Sequence, residues 1–164
     1  MPKSAIKELD LSILVEQIRH DHPDVSFVEG AHFSWHAGKR HVSFKRSSAS
    51  APTKHDIWSL LHELGHALLE HTDYRYDVEL LKFESAAWEK ARELAHDYCL
   101  EINEDYLQDC LDTYRDWLHL RATCPTCSSR SFQASPRRYH CFNCQTEWNV
   151  TRSRLCRPYR LQTA

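Results

Sequence analysis

Glycine is scarce in this chain, with three residues in 164. Beside six prolines and one methionine, that scarcity excludes collagen-like, linker-like and low-complexity classes. No apolar run approaches the roughly 20 residues of a membrane span. Met1-Pro2-Lys3-Ser4-Ala5-Ile6-Lys7 lacks the apolar core of a secretion signal. No internal repeat is present. Seven cysteines cannot all pair as disulfides, and reduced cysteines of a cytosolic chain more often bind metal. Together these absences predict a cytoplasmic protein with no membrane partner.

Acid is the other scarcity, and it is local. Residues 121–164 hold the single acid Glu147 against eight Arg, a net +7. Residues 1–120 hold 13 Lys+Arg against 22 Asp+Glu, a net −9. Such a split predicts two modules with different partners. What is abundant fits a folded chain: 41% hydrophobic residues, five Trp and 27% charged residues, enough for one domain and a small appendage.

The segment His62-Glu63-Leu64-Gly65-His66 reads H-E-x-x-H within an apolar-periodic run, Asp56 to Glu70. On a helix, residues four apart share a face, so His62 and His66 can reach one Zn²⁺. Glu63 lies about 100° further round, placed to act as general base toward water at that metal. Ile57, Leu60, Leu61, Leu64, Ala67 and Leu68 fill an arc roughly opposite the two histidines. The spacing therefore predicts a helix with one side in the core and the histidines toward a cleft. The alternative is two surface histidines on an amphipathic helix. Gly65 is either a point of close backbone approach or a tolerated neutral residue.

Before this motif, the pattern predicts a helix over 4–20 with Ser4 as N-cap and Ile6, Leu9, Ile13, Leu14 and Ile18 at helical spacing. Short strands follow at 25–28, 31–36 and 40–45, the last two joined as a hairpin through Ala37-Gly38-Lys39. Residues 47–53 read as a loop.

After it, residues 77–101 read as a long helix with Leu80, Leu81, Ala87, Trp88, Ala91, Ala95 and Tyr98 as its apolar stripe. Glu84 lies within that stripe, whereas Glu79, Glu89 and Glu93 lie on the polar side. A carboxylate on an apolar face needs a cation or a hydrogen-bonding partner, so Glu84 is the candidate third ligand. Its alternative is a partner for a buried Arg. A third histidine at the metzincin position is missing, because residue 72 is Thr. His71 misses that register by one, and His96 lies about 18 Å along a straight helix from Glu84. Residues 103–120 read as a further helix capped by Asn103, and Cys99 and Cys110 read as small core residues.

Cys124-Pro125-Thr126-Cys127 and Cys141-Phe142-Asn143-Cys144 form C-x₂-C-x₁₃-C-x₂-C. This spacing predicts a closed, structural Cys₄ zinc site, with short strands at 131–133, 138–140 and 148–150 making a zinc ribbon. The alternative is a redox pair or unbound thiols. Cys156 has no assignment, and 153–164 reads as a basic, mobile tail.

His62-Glu63-Leu64-Gly65-His66 followed by Glu84-Ser85-Ala86-Ala87-Trp88 resembles the ImmA/IrrE-type gluzincin metallopeptidases. In that family a glutamate on the helix after H-E-x-x-H completes the metal site, commonly in a Glu-Ala-x-x-Phe-like segment. Here Ser85 and Trp88 replace the Ala and Phe. The resemblance covers about residues 25–101 and does not account for the ribbon. It implies a zinc peptidase, and its members include proteases that cut transcriptional repressors.

The sequence thus predicts an α+β chain: a zincin-like metallopeptidase domain over 1–120, a Cys₄ ribbon over 121–152 and a basic tail over 153–164. It predicts two Zn²⁺, a catalytic one on His62, His66 and Glu84 and a structural one on Cys124, Cys127, Cys141 and Cys144. The expected activity is peptide hydrolysis by metal-activated water with Glu63 as base, on a protein or peptide substrate, with an extended substrate pairing along the edge of the 31–45 hairpin. Tyr74, Tyr76, His36 and His41 are open candidates for the oxyanion helper. Two other readings stand beside it. One resembles the SprT type, a DNA-associated protease that joins H-E-x-x-H to a zinc-binding ribbon but takes a histidine as third ligand. The other is an inactive, zinc-stabilised adaptor. The basic ribbon suits nucleic acid through counterion release, a protein-docking face or a solubilising surface, and the residues do not choose.

Overall fold

The helix that carries His62 and His66 starts where its first turn is closed by side chains. Thr53 Oγ1 accepts from Asp56 N, and the Asp56 carboxylate accepts from Thr53 N at 2.8 Å. This reciprocal capping box moves the helix start two residues ahead of the expected Asp56. The computed structural model describes residues 11–45, 52–152 and the backbone of 161–162. The expected Ser4 cap, most of the 47–53 loop and Cys156 lie outside the described residues.

In chain order the elements are α1 (Leu11–Asp21), β1 (Ser26–Gly30), β2 (Ser34–His36), a 3₁₀ turn (Ala37–Lys39), β3 (His41–Lys45), α2 (Lys54–Leu68), α3 (Asp77–Asp97), α4 (Glu104–Ala122), β4 (Phe132–Ser135), β5 (Arg138–His140), β6 (Glu147–Asn149) and β7 (Leu161–Gln162). The fold is mixed α+β. No described helix is long and apolar enough to cross a membrane.

Contacts divide the chain into two compact units, Met1–Thr72 with Ala86–Ile102, and Asp73–Ser85 with Asn103–Ala164. The boundary crosses α3, which is one continuous helix. The expected division at residue 120 does not coincide with this grouping, because α4 and the first turns of α3 go with the ribbon.

In the first unit, α1 buries Leu11, Leu14, Val15 and Ile18, the i, i+3, i+4, i+7 pattern of one helical face. The sheet order is β1-β3-β2. β2 and β3 are antiparallel, as a hairpin requires, but β1 runs parallel to β3 with Phe27 beside Val42. The β2–β3 connection is a 3₁₀ turn ended by Arg40 at φ 51°. Phe27, Val42 and Phe44 are buried on this sheet.

α2 is buried over more of its circumference than an amphipathic arc. Ile57, Trp58, Leu60, Leu61 and Leu64 are covered, and so are His62, Gly65 and His66. α3 packs against that side of the helix. Gly65 is the point of closest approach. A Cβ built there would stand 2.6 Å from Ala87 O and 3.3 Å from Ala87 C. These are backbone atoms, so no rotamer change relieves the clash. Gly65→Ala gains about 1 kcal/mol of helix propensity but forces α2 and α3 apart at a cost of roughly 1–3 kcal/mol. The expected net result is a lower melting temperature in thermal denaturation. An unchanged or raised value would show that the two backbones separate freely.

α2 and α3 each end on a left-handed residue that is not glycine. Glu70 at φ 52° follows α2, with Glu70 N bonded to Ala67 O and His71 N bonded to His66 O. Cys99 at φ 55° does the same after α3, with Cys99 N on His96 O and Leu100 N on Ala95 O. Both are Schellman endings. The second stops α3 at Asp97, short of the expected 101. It also leaves Cys99 exposed, and Cys110 is half-buried, so neither is the core residue that composition suggested.

In the second unit, Asn103 caps α4 by accepting from Tyr106 N at 2.8 Å, as the sequence predicts. α4 runs on to Ala122 and buries Leu107, Leu111, Trp117 and Arg121. The ribbon sheet has the order β4-β5-β6-β7. Its core is Tyr139 stacked on Trp148 at 5.4 Å, with Val150, Cys124 and Cys141. Leu161–Gln162 pairs with β6, so this part of the expected tail extends the sheet.

Arg121 and Asp77 are both almost wholly buried. Arg121 Nε and Nη2 donate to the two oxygens of Asp77 at 2.6 and 3.2 Å, and the Tyr139 hydroxyl donates to the same carboxylate at 2.6 Å. Asp77 N donates to Gln133 at 2.8 Å, and Trp148 Nε1 donates to Arg121 O at 2.9 Å. This network ties α3, α4 and the ribbon strands together within the unit.

Candidate metal centres

The first centre is assembled by helix periodicity. His62 and His66, four residues apart on α2, bring their Nε2 atoms to 3.1 Å. One ligand atom from each and a carboxylate oxygen of Glu84 on α3 all lie within 4.8 Å of one another. All three side chains are buried: 7% exposed for His62, 9% for His66 and 5% for Glu84. Two imidazole nitrogens bound tetrahedrally at about 2.05 Å would stand about 3.3 Å apart, so the observed separation suits one cation. Glu84 sits where the apolar stripe of α3 predicts it, between buried Leu80 and Ala87. The donor set of two imidazoles and one carboxylate could hold a metal ion.

The ligand rings are held from behind. Trp88 stacks on His62 with ring centroids 4.2 Å apart and planes at 28°. The Schellman ending returns His71 over the last turn of α2, with its Nδ1 2.8 Å from His66 Nδ1. A metal held on Nε2 of His66 would leave the proton on Nδ1, where His71 Nδ1 is in reach to accept it. Such outer partners fix the tautomer and the ring angle of a ligand. In the sequence His71 reads as a missed metzincin position that ends the helix near its C-terminal dipole. Its role depends on the left-handed Glu70, which no residue preference announces.

β2 completes the arrangement. Trp35 N donates to Glu63 Oε2 at 2.7 Å, and the Trp35 indole donates to His71 O at 2.7 Å. One residue thus orients both the carboxylate beside the histidines and the segment that braces His66. In the sequence Trp35 is one residue of the expected 31–36 strand. Removing the brace has a measurable consequence. His71→Ala is expected to weaken metal binding at this centre by about 10- to 100-fold in competition with a chromophoric chelator, leaving the cysteine site untouched. An unchanged affinity would show that His71 only ends the helix.

Other side chains weighed in the sequence have the following partners. His96 is on the exposed side of α3. The Tyr98 hydroxyl donates to Asp21. Tyr74 packs edge-on against Trp117 in the second unit, and the Tyr76 backbone N–H donates to Glu79. His36 lies one residue beyond Trp35 on β2, its ring 4.6 Å from that of His41.

The second centre is built from two matching turns. Ser128 N bonds Cys124 O, and Cys124 N bonds Ser129 O. Seventeen residues on, Gln145 N bonds Cys141 O and Cys141 N bonds Thr146 O. Ser128 and Gln145 are both left-handed, at φ 58° and 64°. Each C-x-x-C is thus the same knuckle. The Sγ atoms of Cys124 and Cys144 are 3.6 Å apart and those of Cys127 and Cys141 3.5 Å apart. A disulfide needs about 2.05 Å. Four thiolates around one ion at about 2.3 Å would be about 3.8 Å apart. The spacing therefore fits a shared cation, and no disulfide forms among the described cysteines. Hydrogen bonds from Ser129 and Asn143 push the Cys127 thiol down to about 5, toward the thiolate that a metal binds.

No protein-family model, no curated protein and no solved structure matches this chain.

Proposed function

We propose that the chain is a zinc-dependent peptidase with a gluzincin-type centre on His62, His66 and Glu84, and that the four ribbon cysteines hold a second, structural zinc. The observation that carries this reading is the convergence of two buried imidazoles and one buried carboxylate beside a second, oriented carboxylate. A purely structural site has no use for Glu63 at that position. The resemblance of His62–His66 and Glu84–Trp88 to ImmA/IrrE-type metallopeptidases points the same way and suggests a regulatory protein as substrate. The SprT-type reading loses support, because a carboxylate occupies the third ligand position and His71 faces the outer nitrogen of His66.

When bound, zinc supplies Lewis-acid polarisation of a scissile carbonyl and brings the pKa of water toward about 7. The protein's own groups do the rest. Glu63 takes the proton from the attacking water and returns it to the leaving amine. Trp35 N–H holds one carboxylate oxygen, so the other is left to face the water. β2 is an edge strand, and an extended peptide aligned along it would be fixed by main-chain hydrogen bonds. Burial of the ligand set limits competing water.

The test is cleavage of a proteome-derived peptide library by the full chain, read by mass spectrometry. The reading predicts new termini that disappear with a zinc chelator and return when zinc is restored. A zinc-loaded chain that cleaves nothing in the library or in intact repressor-type proteins would leave the adaptor reading.

A further inference from the structure

The ribbon carries two aromatic side chains that its own core does not need. Phe132 is 78% exposed and Phe142 69% exposed, while Tyr139, Trp148 and Val150 are at most 5% exposed. Adjacent exposed aromatic rings on a module with a complete core make a candidate binding patch. The two rings lie 6.5 Å apart, and His140 meets Phe142 edge-on at 5.3 Å. Phe132 and His140 are cross-strand partners in the β4–β5 register, so they share one face of the sheet. Strand alternation puts Arg138 on that face too, with Tyr139 turned into the core.

Charge selects the occupant. The one acid of residues 121–164, Glu147, pairs with Arg138 and lies 3.5 Å from His140. Of the eight Arg in that segment, Arg121 is buried on Asp77, whereas Arg130, Arg137 and Arg152 are exposed. A protein partner would have to bring acidic groups to these arginines and also fill two phenyl faces. A single nucleic-acid strand supplies both, with phosphates for the guanidinium groups and unpaired bases for the rings. In a duplex the base faces are hidden, so the rings add nothing there.

We propose that this face of the ribbon binds single-stranded nucleic acid, with Phe132 and Phe142 as stacking platforms and the surrounding arginines on the phosphates. The proposal is independent of the peptidase reading.

The test uses the full chain and a fluorescein-labelled mixed-pyrimidine DNA strand of about 20 nucleotides, followed by anisotropy across a salt series. Binding should weaken as salt rises. Phe132→Ala and Phe142→Ala should each weaken it by at least about fivefold, while Phe132→Tyr and Phe142→Tyr retain it. The same strand in duplex form should bind at least about tenfold more weakly. No binding at low salt, equal binding by the alanine variants, or equal binding of duplex would each overturn the proposal. Melting temperature and metal content of the alanine variants should match the unaltered chain. A fall in either would assign the rings a structural role and would also overturn it.

Discussion

Glu63→Gln should reduce peptide hydrolysis by about 10²- to 10⁴-fold, the span of a lost general base, without changing metal content. The amide preserves size and can still accept from Trp35 N through its oxygen, so β2 should keep its place against α2. It cannot take a proton from water. Metal binding should persist because the ligand set is His62, His66 and Glu84, and Glu63 belongs to it neither in sequence pattern nor in geometry. The two readouts separate three cases. Lost cleavage with metal retained is the peptidase result. Lost metal would make Glu63 a ligand. Cleavage retained at more than about a tenth of the original rate would remove Glu63 as base.

The largest effect on stability belongs to Asp77→Ala. The substitution deletes the two carboxylate acceptors of the Arg121 guanidinium, leaving it only Thr151 O, and deletes the acceptor of the Tyr139 hydroxyl, at a site where Asp77 and Arg121 are 2% and 1% exposed. A buried cation left without its partner costs roughly 3–5 kcal/mol. In a unit of this size that should lower the melting midpoint by at least about 12 °C. Removing the cation as well, in Asp77→Ala with Arg121→Met, should recover part of the loss, because the uncompensated charge is then gone. A shift of only a few degrees for Asp77→Ala would mean that water or relaxation solvates Arg121, and the network would not be what joins α3 to the ribbon.

Much of the chemistry was legible because it depends on local spacing. His62 and His66 need only helical periodicity to converge. The two C-x₂-C turns need only their own backbone, and Asn103 caps the helix that follows it through Tyr106 N, three residues on. Glu84 was found by a different kind of argument, that a carboxylate on an apolar stripe must have a partner. Such a partner lies 18 to 22 residues away in sequence, so the stripe names the residue needing one and not the one supplying it.

The remainder depends on distant contacts or on unannounced backbone states. The parallel pairing of β1 with β3 follows from tertiary packing, since hydrophobic alternation reads the same for either strand direction. Arg121 and Asp77 are 44 residues apart, and each alone reads as an ordinary charged helix residue. The left-handed conformations of Glu70 and Cys99 carry no glycine signal, yet they end two helices and bring His71 onto His66. Gly65 allowed two readings in the sequence, and close approach is selected only once Ala87 is in place.

The central claim is that two imidazoles from α2 and one carboxylate from α3 hold one metal, separate from the cysteine site. The most direct measurement is the number of zinc ions per chain in the full-length protein and in Glu84→Ala. Both are dialysed against a chelator strong enough to strip a two-ligand site. The account predicts two for the unaltered protein and about one for the variant, the survivor being the Cys₄ site. Two ions in both proteins, or one in both, would contradict it.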